Sequence, residues 1–297
     1  MRSGHERNAG NLRRENFLDI MISIVILTMN EAADLPACME SLRWCDDIHV
    51  VDSGSTDATV QLAQAGGARV QTNRFESFGQ QRNWALANCA FRHAWVLFLD
   101  ADECSTPEFQ RAVQEAIAAA PEGCAGFYCC CKMMLHGRWM KRCDSFPKWQ
   151  FRLLRRGRAS FTDFGHGQKE HDVRGEIGYI REPYLHFAFS KGWAHWLVRH
   201  NRYSDLEARE RLHADVRWRD LFSRHGSVRN KALKPLVSRL PGWPLAFFLF
   251  RYFFRLGFAE GRAGFIYCVN MAYYEFLIRI KMDELRRGAA GSQSGAR

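Results

Sequence analysis

The sequence predicts an α/β fold, a Rossmann-like mixed sheet with helices between its strands, followed by a helical C-terminal appendage. Three observations carry that prediction. Apolar runs at residues 22–27, 48–51 and 94–99 each end in polar residues able to hold a ligand. Segments with helical spacing lie between them, the alternation that builds a largely parallel sheet. The last third of the chain alternates aromatic-rich apolar stretches with arginine, and no uncharged run exceeds twelve residues.

The first run, Ile-Ser-Ile-Val-Ile-Leu, is β-branched and ends in Thr28-Met29-Asn30-Glu31. A helix follows, with Leu35, Met39 and Leu42 on one face. The second run leads into Asp52-Ser53-Gly54-Ser55-Thr56-Asp57 and a helix from about Ala58. Asp52 can accept hydrogen bonds from a bound base or sugar, and Thr56 or Asp57 can cap that helix. A short strand at 68–71 precedes a helix containing Gln81-Arg82-Asn83-Trp84, whose Arg82 can reach a nucleotide or its phosphates. The third run, Ala-Trp-Val-Leu-Phe-Leu, lacks any polar alternation, as expected of a strand covered on both faces. It stops at Asp100-Ala101-Asp102-Glu103. Ligands of open α/β sheets bind beyond the carboxyl ends of the strands. An Asp-x-Asp there offers hard oxygen ligands to a divalent cation and a diphosphate. Taken alone, such a pair is a commonplace of solvated turns; here it follows two other strands that end the same way.

Pro107 opens a helix to about residue 119, as proline favours. Residues 126–131 and 149–154 read as strands. The stretch Phe161-Thr162-Asp163-Phe164-Gly165-His166-Gly167-Gln168-Lys169-Glu170-His171-Asp172 reads as a glycine loop that lets a ligand approach its backbone while its carboxylates offer a base. Tyr184-Leu185-His186-Phe187 puts a histidine on a short apolar strand, and Lys191 follows as a candidate diphosphate or acceptor contact.

The motifs Thr28-Met29-Asn30-Glu31, Val51-Asp52-Ser53-Gly54-Ser55-Thr56-Asp57, Gln81-Arg82-Asn83-Trp84-Ala85-Leu86 and Phe98-Leu99-Asp100-Ala101-Asp102-Glu103 occur in the order and approximate spacing of the nucleotide-sugar glycosyltransferases of family 2. The chain resembles that family, and within it the bacterial members that build lipopolysaccharide core and related envelope glycans. A dinucleotide-binding dehydrogenase fits worse, because Gly-x-Gly-x-x-Gly is absent after the first strand. The resemblance implies the GT-A nucleotide-sugar-binding fold and an inverting transfer from a nucleotide diphosphate sugar to a saccharide or lipid-linked acceptor. It implies Mg²⁺ or Mn²⁺ held by Asp102, Asp100 and the late-family histidine position, His186, with His166 as competitor. Thr28, Asn30, Glu31, Asp52, Arg82 and Asp100 would contact the donor. Glu170 falls where relatives carry their catalytic base. This chain has Gln-Lys-Glu in place of the common Glu-Asp pair, which keeps Asp163 and Asp172 open as alternatives. A polyprenyl-phosphate glycosyltransferase, whose acceptor needs no strong base, is the nearest enzymatic alternative. A non-catalytic, membrane-bound binding protein on the same fold is the alternative from another class.

Composition narrows the partners. A hydrophobic share of 47% and an aromatic share of 13% supply a core and exclude disorder throughout. The net charge of +10 is concentrated: residues 191–240 carry twelve Lys/Arg against five Asp/Glu. Such a block suits nucleic acid, anionic lipid or a phosphorylated acceptor. No nucleic-acid module accompanies it, and the aromatic segments that follow point to an anionic membrane surface. Trp196, Arg199, His200, Tyr203, Leu206 and Arg209 interleave rings with cations as interfacial helices do. Ten cysteines include no Cys-x-x-Cys pair, which reads as a reducing compartment without structural metal. The expected organisation is a disordered extension over 1–20, a GT-A domain over 21–230, amphipathic interfacial helices over 231–285 and a disordered tail over 286–297. The expected location is cytoplasmic, peripheral on the cytoplasmic face of the inner membrane.

Overall fold

The computed structural model describes residues 22–164, 167–214, 217–223 and 226–294. In chain order its elements are β1 (Ile22–Thr28), α1 (Leu35–Glu40), β2 (Ile48–Asp52), α2 (Thr59–Ala65), β3 (Arg69–Thr72), α3 (Phe78–Asn88), β4 (Trp95–Asp100), β5 (Glu103–Cys104) and α4 (Pro107–Ala118). There follow β6 (Cys124–Cys129), β7 (Cys131–Leu135), β8 (Arg138–Trp139), β9 (Gln150–Arg155), β10 (Ser160–Phe164), β11 (Gly167–His171), β12 (Glu176–Tyr179) and β13 (Tyr184–His186). The helices α5 (Gly192–His213), α6 (Trp218–Leu221), α7 (Gly226–Val237), α8 (Trp243–Leu249) and α9 (Gly261–Ser294) complete the described chain.

Seven strands form the main sheet in the order β12-β6-β9-β4-β1-β2-β3. β1 pairs in parallel with β2 and β4, and β2 with β3, while β9 runs antiparallel between β4 and β6. This is the mixed sheet expected. Side-chain alternation along β4 divides the core: Trp95, Leu97 and Leu99 pack with α1, α2 and α4, whereas Val96 and Phe98 pack with α3 and β10. Asp100 shares the parity of Phe98 and therefore emerges on the α3 side.

Two readings change. The strand expected at 126–131 is divided, because Cys130 lies outside strand geometry and the chain passes into a second sheet, ordered β5-β13-β7-β8. The glycine loop expected at 161–172 is largely a hairpin, with Phe161 opposite Glu170 and Asp163 opposite Gln168. Phe161 is buried against Phe98 and Phe151 on the face that covers the sheet, while Phe164, three residues on, is exposed on the other.

The C-terminal helices are not only a surface coat. Ala263, Tyr267 and Cys268 of α9 pack on Leu135, Met140 and Cys143, and Tyr274, Ile278 and Met282 pack on Trp196 and Ala208 of α5. Gly257 and Gly264 permit a close backbone crossing: a Cβ on Gly264 would stand 2.1 Å from the Gly257 carbonyl oxygen. Arg211 of α5 clamps Glu275 of α9 through two hydrogen bonds, of 2.6 and 2.9 Å. The opposite side of α9 remains apolar and exposed at Phe265, Val269, Tyr273, Phe276 and Ile280. Leu245, Leu249, Phe250, Phe253 and Phe254 are exposed beside it. Among the described residues, no helix is long and apolar enough to cross a membrane.

Candidate active site

The loops after β1 and β2 are laced together at the carboxyl end of the sheet. Asp52 is buried and accepts from the Thr28 and Ser55 hydroxyls on one oxygen and from the Gly54 and Ser55 backbone N–H groups on the other. The acceptor capacity of a carboxylate is thereby filled. A base arriving at Asp52 would have to take the place of the Ser55 hydroxyl. Asn30, at a φ of 56°, accepts from the Thr56 backbone N–H, and its own N–H donates to Ser55 Oγ. Thr28 and Asn30 thus shape the rim beside Asp52.

A buried charge network stands behind the Asp-x-Asp. Arg82 donates to Asp100 Oδ1 at 3.1 Å, and Arg152 donates to Asp100 Oδ2 at 2.9 Å. The same Arg152 nitrogen reaches Glu103 Oε1 at 2.8 Å, while Glu103 Oε2 accepts from the Asp100 backbone N–H. The side chains of Arg82, Arg152 and Glu103 are at most 2% exposed, whereas Asp100 keeps a third of its surface. Burial alone would raise the Asp100 carboxyl, but Arg152 and Arg82 overcome it and hold the group well below the usual carboxylate range. Burial pushes Glu103 up to about 7 despite Arg152. Burial pulls Arg82 down to about 10. Among the described residues Arg82 Nε and Nη1 have no hydrogen-bond partner; its guanidinium lies 5.6 to 5.9 Å from the rings of Phe78, Phe98 and Phe161, which offer their π faces.

Asp102 has a different environment. β13 pairs with β5, His186 opposite Glu103, and so brings His186 Nε2 to 3.5 Å from Asp102 Oδ2. Arg199 of α5 comes within 3.9 Å of the same oxygen. Burial would depress the His186 imidazole, yet Asp102 raises it well above the ordinary histidine range, and His186 in turn lowers Asp102. Both side chains keep some surface, 20% and 14%. No cluster of three or more His, Cys, Asp or Glu able to hold a metal occurs among the described residues. A carboxylate and an imidazole nonetheless suit a hard cation of the kind that takes one or two protein ligands and completes its shell with water and phosphate oxygens. Asp100 has both oxygens engaged, so a cation there would share an oxygen with an arginine.

Glu31 faces this corner from the β1 side. Lys191 pairs with it at 2.6 Å and donates to the Asn30 carbonyl at 2.7 Å, tying the segment after β13 across the β1 loop. Burial raises the Glu31 carboxyl to about 7 even beside that ammonium.

The three base candidates part company. Glu170 lies opposite Phe161 on the hairpin face turned to the sheet, and Tyr128 donates to its Oε1 at 2.7 Å. Phe161 in turn touches Phe98 and Arg82, which links Glu170 to the Asp100 network. Asp163 accepts from the Gly79 N–H and steadies the start of α3. Asp172 is exposed past the strand end, beside His171. His166, the competitor of His186, lies outside the described residues. Arg152, Glu103 and Tyr128 were not among the residues expected at the site; the lone charge of Arg152 within Gln-Phe-Arg-Leu-Leu was the available signal.

Comparison with known proteins bears on this geometry. The profile of Glycosyl transferase family 2 matches residues 23–181. The lipopolysaccharide core biosynthesis glycosyltransferase LpsC of Rhizobium meliloti (strain 1021) is 29% identical over 271 residues, covering 88% of this chain and 91% of that protein. Among solved structures, S. aureus TarS 1-349 shares 16% identity at a TM-score of 0.44, covering 91% of this chain and 92% of that one. Glucosyl-3-phosphoglycerate synthase from Mycobacterium tuberculosis, in complex with Mn²⁺, UDP-glucose and phosphoglyceric acid, shares 27% identity at a TM-score of 0.32. That likeness covers 39% of this chain and 44% of the other.

Proposed function

Since this chain belongs to glycosyltransferase family 2 and has the GT-A fold, we propose that it is an inverting, divalent-metal-dependent enzyme that transfers a sugar from a nucleotide diphosphate donor to a saccharide or lipid-linked acceptor. Membership supports a glycosyltransferase over the non-catalytic alternative. The observation that carries the finer reading is the contrast within the Asp-x-Asp: both oxygens of Asp100 are engaged by two arginines, while Asp102 is paired with the His186 imidazole, a group that can itself ligate a cation.

In this reading Asp102 and His186 hold Mg²⁺ or Mn²⁺, with Asp100 as neighbour. When bound, the cation neutralises charge that develops on the leaving diphosphate. His186 must lose its proton to serve as ligand, so occupancy falls at low pH. Thr28, Asn30, Glu31 and Asp52 frame the nucleoside, and Arg82 orients Asp100 from behind. Lys191 sits within reach of the donor corner and can exchange Glu31 for a phosphate. Glu170 takes the proton of the acceptor hydroxyl, and the Tyr128 O–H fixes the carboxylate's orientation. A hydroxyl acceptor, which needs such a base, is favoured by this pair over a polyprenyl phosphate.

The similarity to LpsC, a lipopolysaccharide core biosynthesis glycosyltransferase, supports an acceptor in lipopolysaccharide-type envelope glycan. Attachment to an anionic membrane on the cytoplasmic face of the inner membrane fits the exposed aromatic side of α8 and α9 and the basic charge of residues 191–240. The test is transfer from a panel of radiolabelled nucleotide sugars with Mn²⁺, Mg²⁺ or EDTA. EDTA and Asp102→Ala should each abolish it; full activity of either in metal-free buffer refutes the cation assignment.

A further inference from the structure

At the same end of the sheet, two large aromatic side chains stand in water beside the Glu170–Tyr128 pair. Tyr179 closes β12, the edge strand, and is 56% exposed. It lies opposite Tyr128 in the strand register, and their rings stack at 5.2 Å and 30°. Trp149 immediately precedes β9, is 37% exposed and meets Tyr179 edge-on at 5.0 Å and 78°. The antiparallel register of β9 on β4, with Leu97 opposite Leu153, brings the start of β9 level with the end of β4, where Asp100 emerges. The aromatic group therefore lies on the carboxyl-end rim of the sheet, next to the proposed base and across from the donor corner. Neither ring is needed to fill the core, since the cores on both faces of the sheet close without them.

We propose that Trp149 and Tyr179, backed by Tyr128, form a stacking site for a pyranose ring of the acceptor saccharide. The inference rests on the reading of Glu170 as base and deepens it by naming the chemical class on the acceptor side. A pyranose has an apolar face of C–H groups and a rim of hydroxyls. An aromatic face, with its negative quadrupole, attracts the C–H face, while the carboxylate and phenol beside it are suited to the hydroxyl rim. The right-angled arrangement of Trp149 and Tyr179 makes a corner that a ring enters with one face on an aromatic plane and one hydroxyl turned to Glu170. A bare phosphate would gain nothing from either ring.

The test is saturation-transfer NMR on the full chain with millimolar methyl glucosides, galactosides and mannosides of both anomers, and with lactose and maltose; the acyclic polyol sorbitol is the control. The wild type should transfer saturation to ring C–H protons of at least one pyranoside and not to sorbitol. Tyr179→Ala and Trp149→Ala should each cut that transfer at least about fivefold, while Tyr179→Phe keeps it. Both side chains are exposed, so the alanine variants should keep their melting temperatures; if one does not, the other decides. Absence of pyranoside transfer in the wild type, or its survival in the alanine variants, overturns the proposal. Glu170→Gln should keep the saturation transfer. If that variant retained full turnover, the base assignment would fall while the stacking site stood.

Discussion

Replacing Arg152 by methionine should destabilise the protein by about 3–5 kcal/mol at neutral pH, the scale for removing one partner from a buried ion pair. One Arg152 nitrogen serves Asp100 at 2.9 Å and Glu103 at 2.8 Å, and its side chain is 2% exposed. Methionine fills similar volume without the charge, and two carboxylates are left facing each other with only Arg82 on Asp100. The loss should depend on pH in a defined direction. Glu103 already titrates at about 7 in the folded chain, above its ordinary 4.5, because burial raises it. A carboxyl raised on folding contributes stability at low pH that is lost as pH climbs through the folded value. In the wild type that decline ends near pH 7. Without Arg152 the folded value rises further, so the decline continues, at up to about 1.4 kcal/mol per pH unit. The difference between variant and wild type should therefore widen between pH 7 and 8.5 and narrow towards pH 6. Urea denaturation at pH 6, 7 and 8.5, with the m-value as a check on the unfolded state, measures this directly. A loss below about 1 kcal/mol, or one that is flat between pH 7 and 8.5, would refute the clamp.

Three further outcomes are expected. Glu170→Gln should leave nucleotide-sugar binding intact and lower turnover by on the order of 10²-fold or more, the scale of a positioned general base; if Asp163→Asn or Asp172→Asn has that effect instead, the base is misassigned. Asp52→Asn turns an amide N–H₂ against N–H or O–H donors, and should cost about 1–3 kcal/mol of stability and raise KM for the donor more than it lowers kcat; thermal melts and steady-state kinetics decide it, an unchanged KM counting against a donor role. Phe250→Ser, Phe254→Ser, Phe265→Ser and Phe276→Ser together should abolish co-flotation with anionic liposomes while nucleotide binding persists, and wild-type flotation should weaken at high salt. Undiminished flotation of that variant would move the attachment elsewhere. Point substitution is the better probe here, because deleting α8 and α9 would also remove the residues that bury Trp196 and Met140.

How much was legible in the chain depends on the range of the interactions involved. Local pattern sufficed for β1, β2 and β4, since a short, predominantly apolar run ending in polar residues has few alternatives to a strand covered on both faces. The strand-end motifs Thr28-Met29-Asn30-Glu31, Asp52 and Asp100-Ala101-Asp102 were visible for the same reason. They are short segments whose chemistry and spacing survive without knowledge of their neighbours. What linear order could not convey was partnership. That Asp100 is held between Arg82 and Arg152, 18 and 52 residues away, follows only from the parity of β4 and the antiparallel register of β9. That His186 meets Asp102 depends on β13 entering a second sheet beside β5. The paired strands 160–164 and 167–171 turned a set of interchangeable acidic residues into three distinct ones: Glu170 meets Tyr128, Asp163 on the same face is taken by the start of α3, and Asp172 lies exposed past the strand end. The aromatic tail was recognised by composition, but its helices proved apolar on two sides. Sequence alone reports a hydrophobic residue without saying whether it meets solvent or another helix, and only packing on α5 and on Leu135, Met140 and Cys143 separated the buried side of α9 from the exposed one.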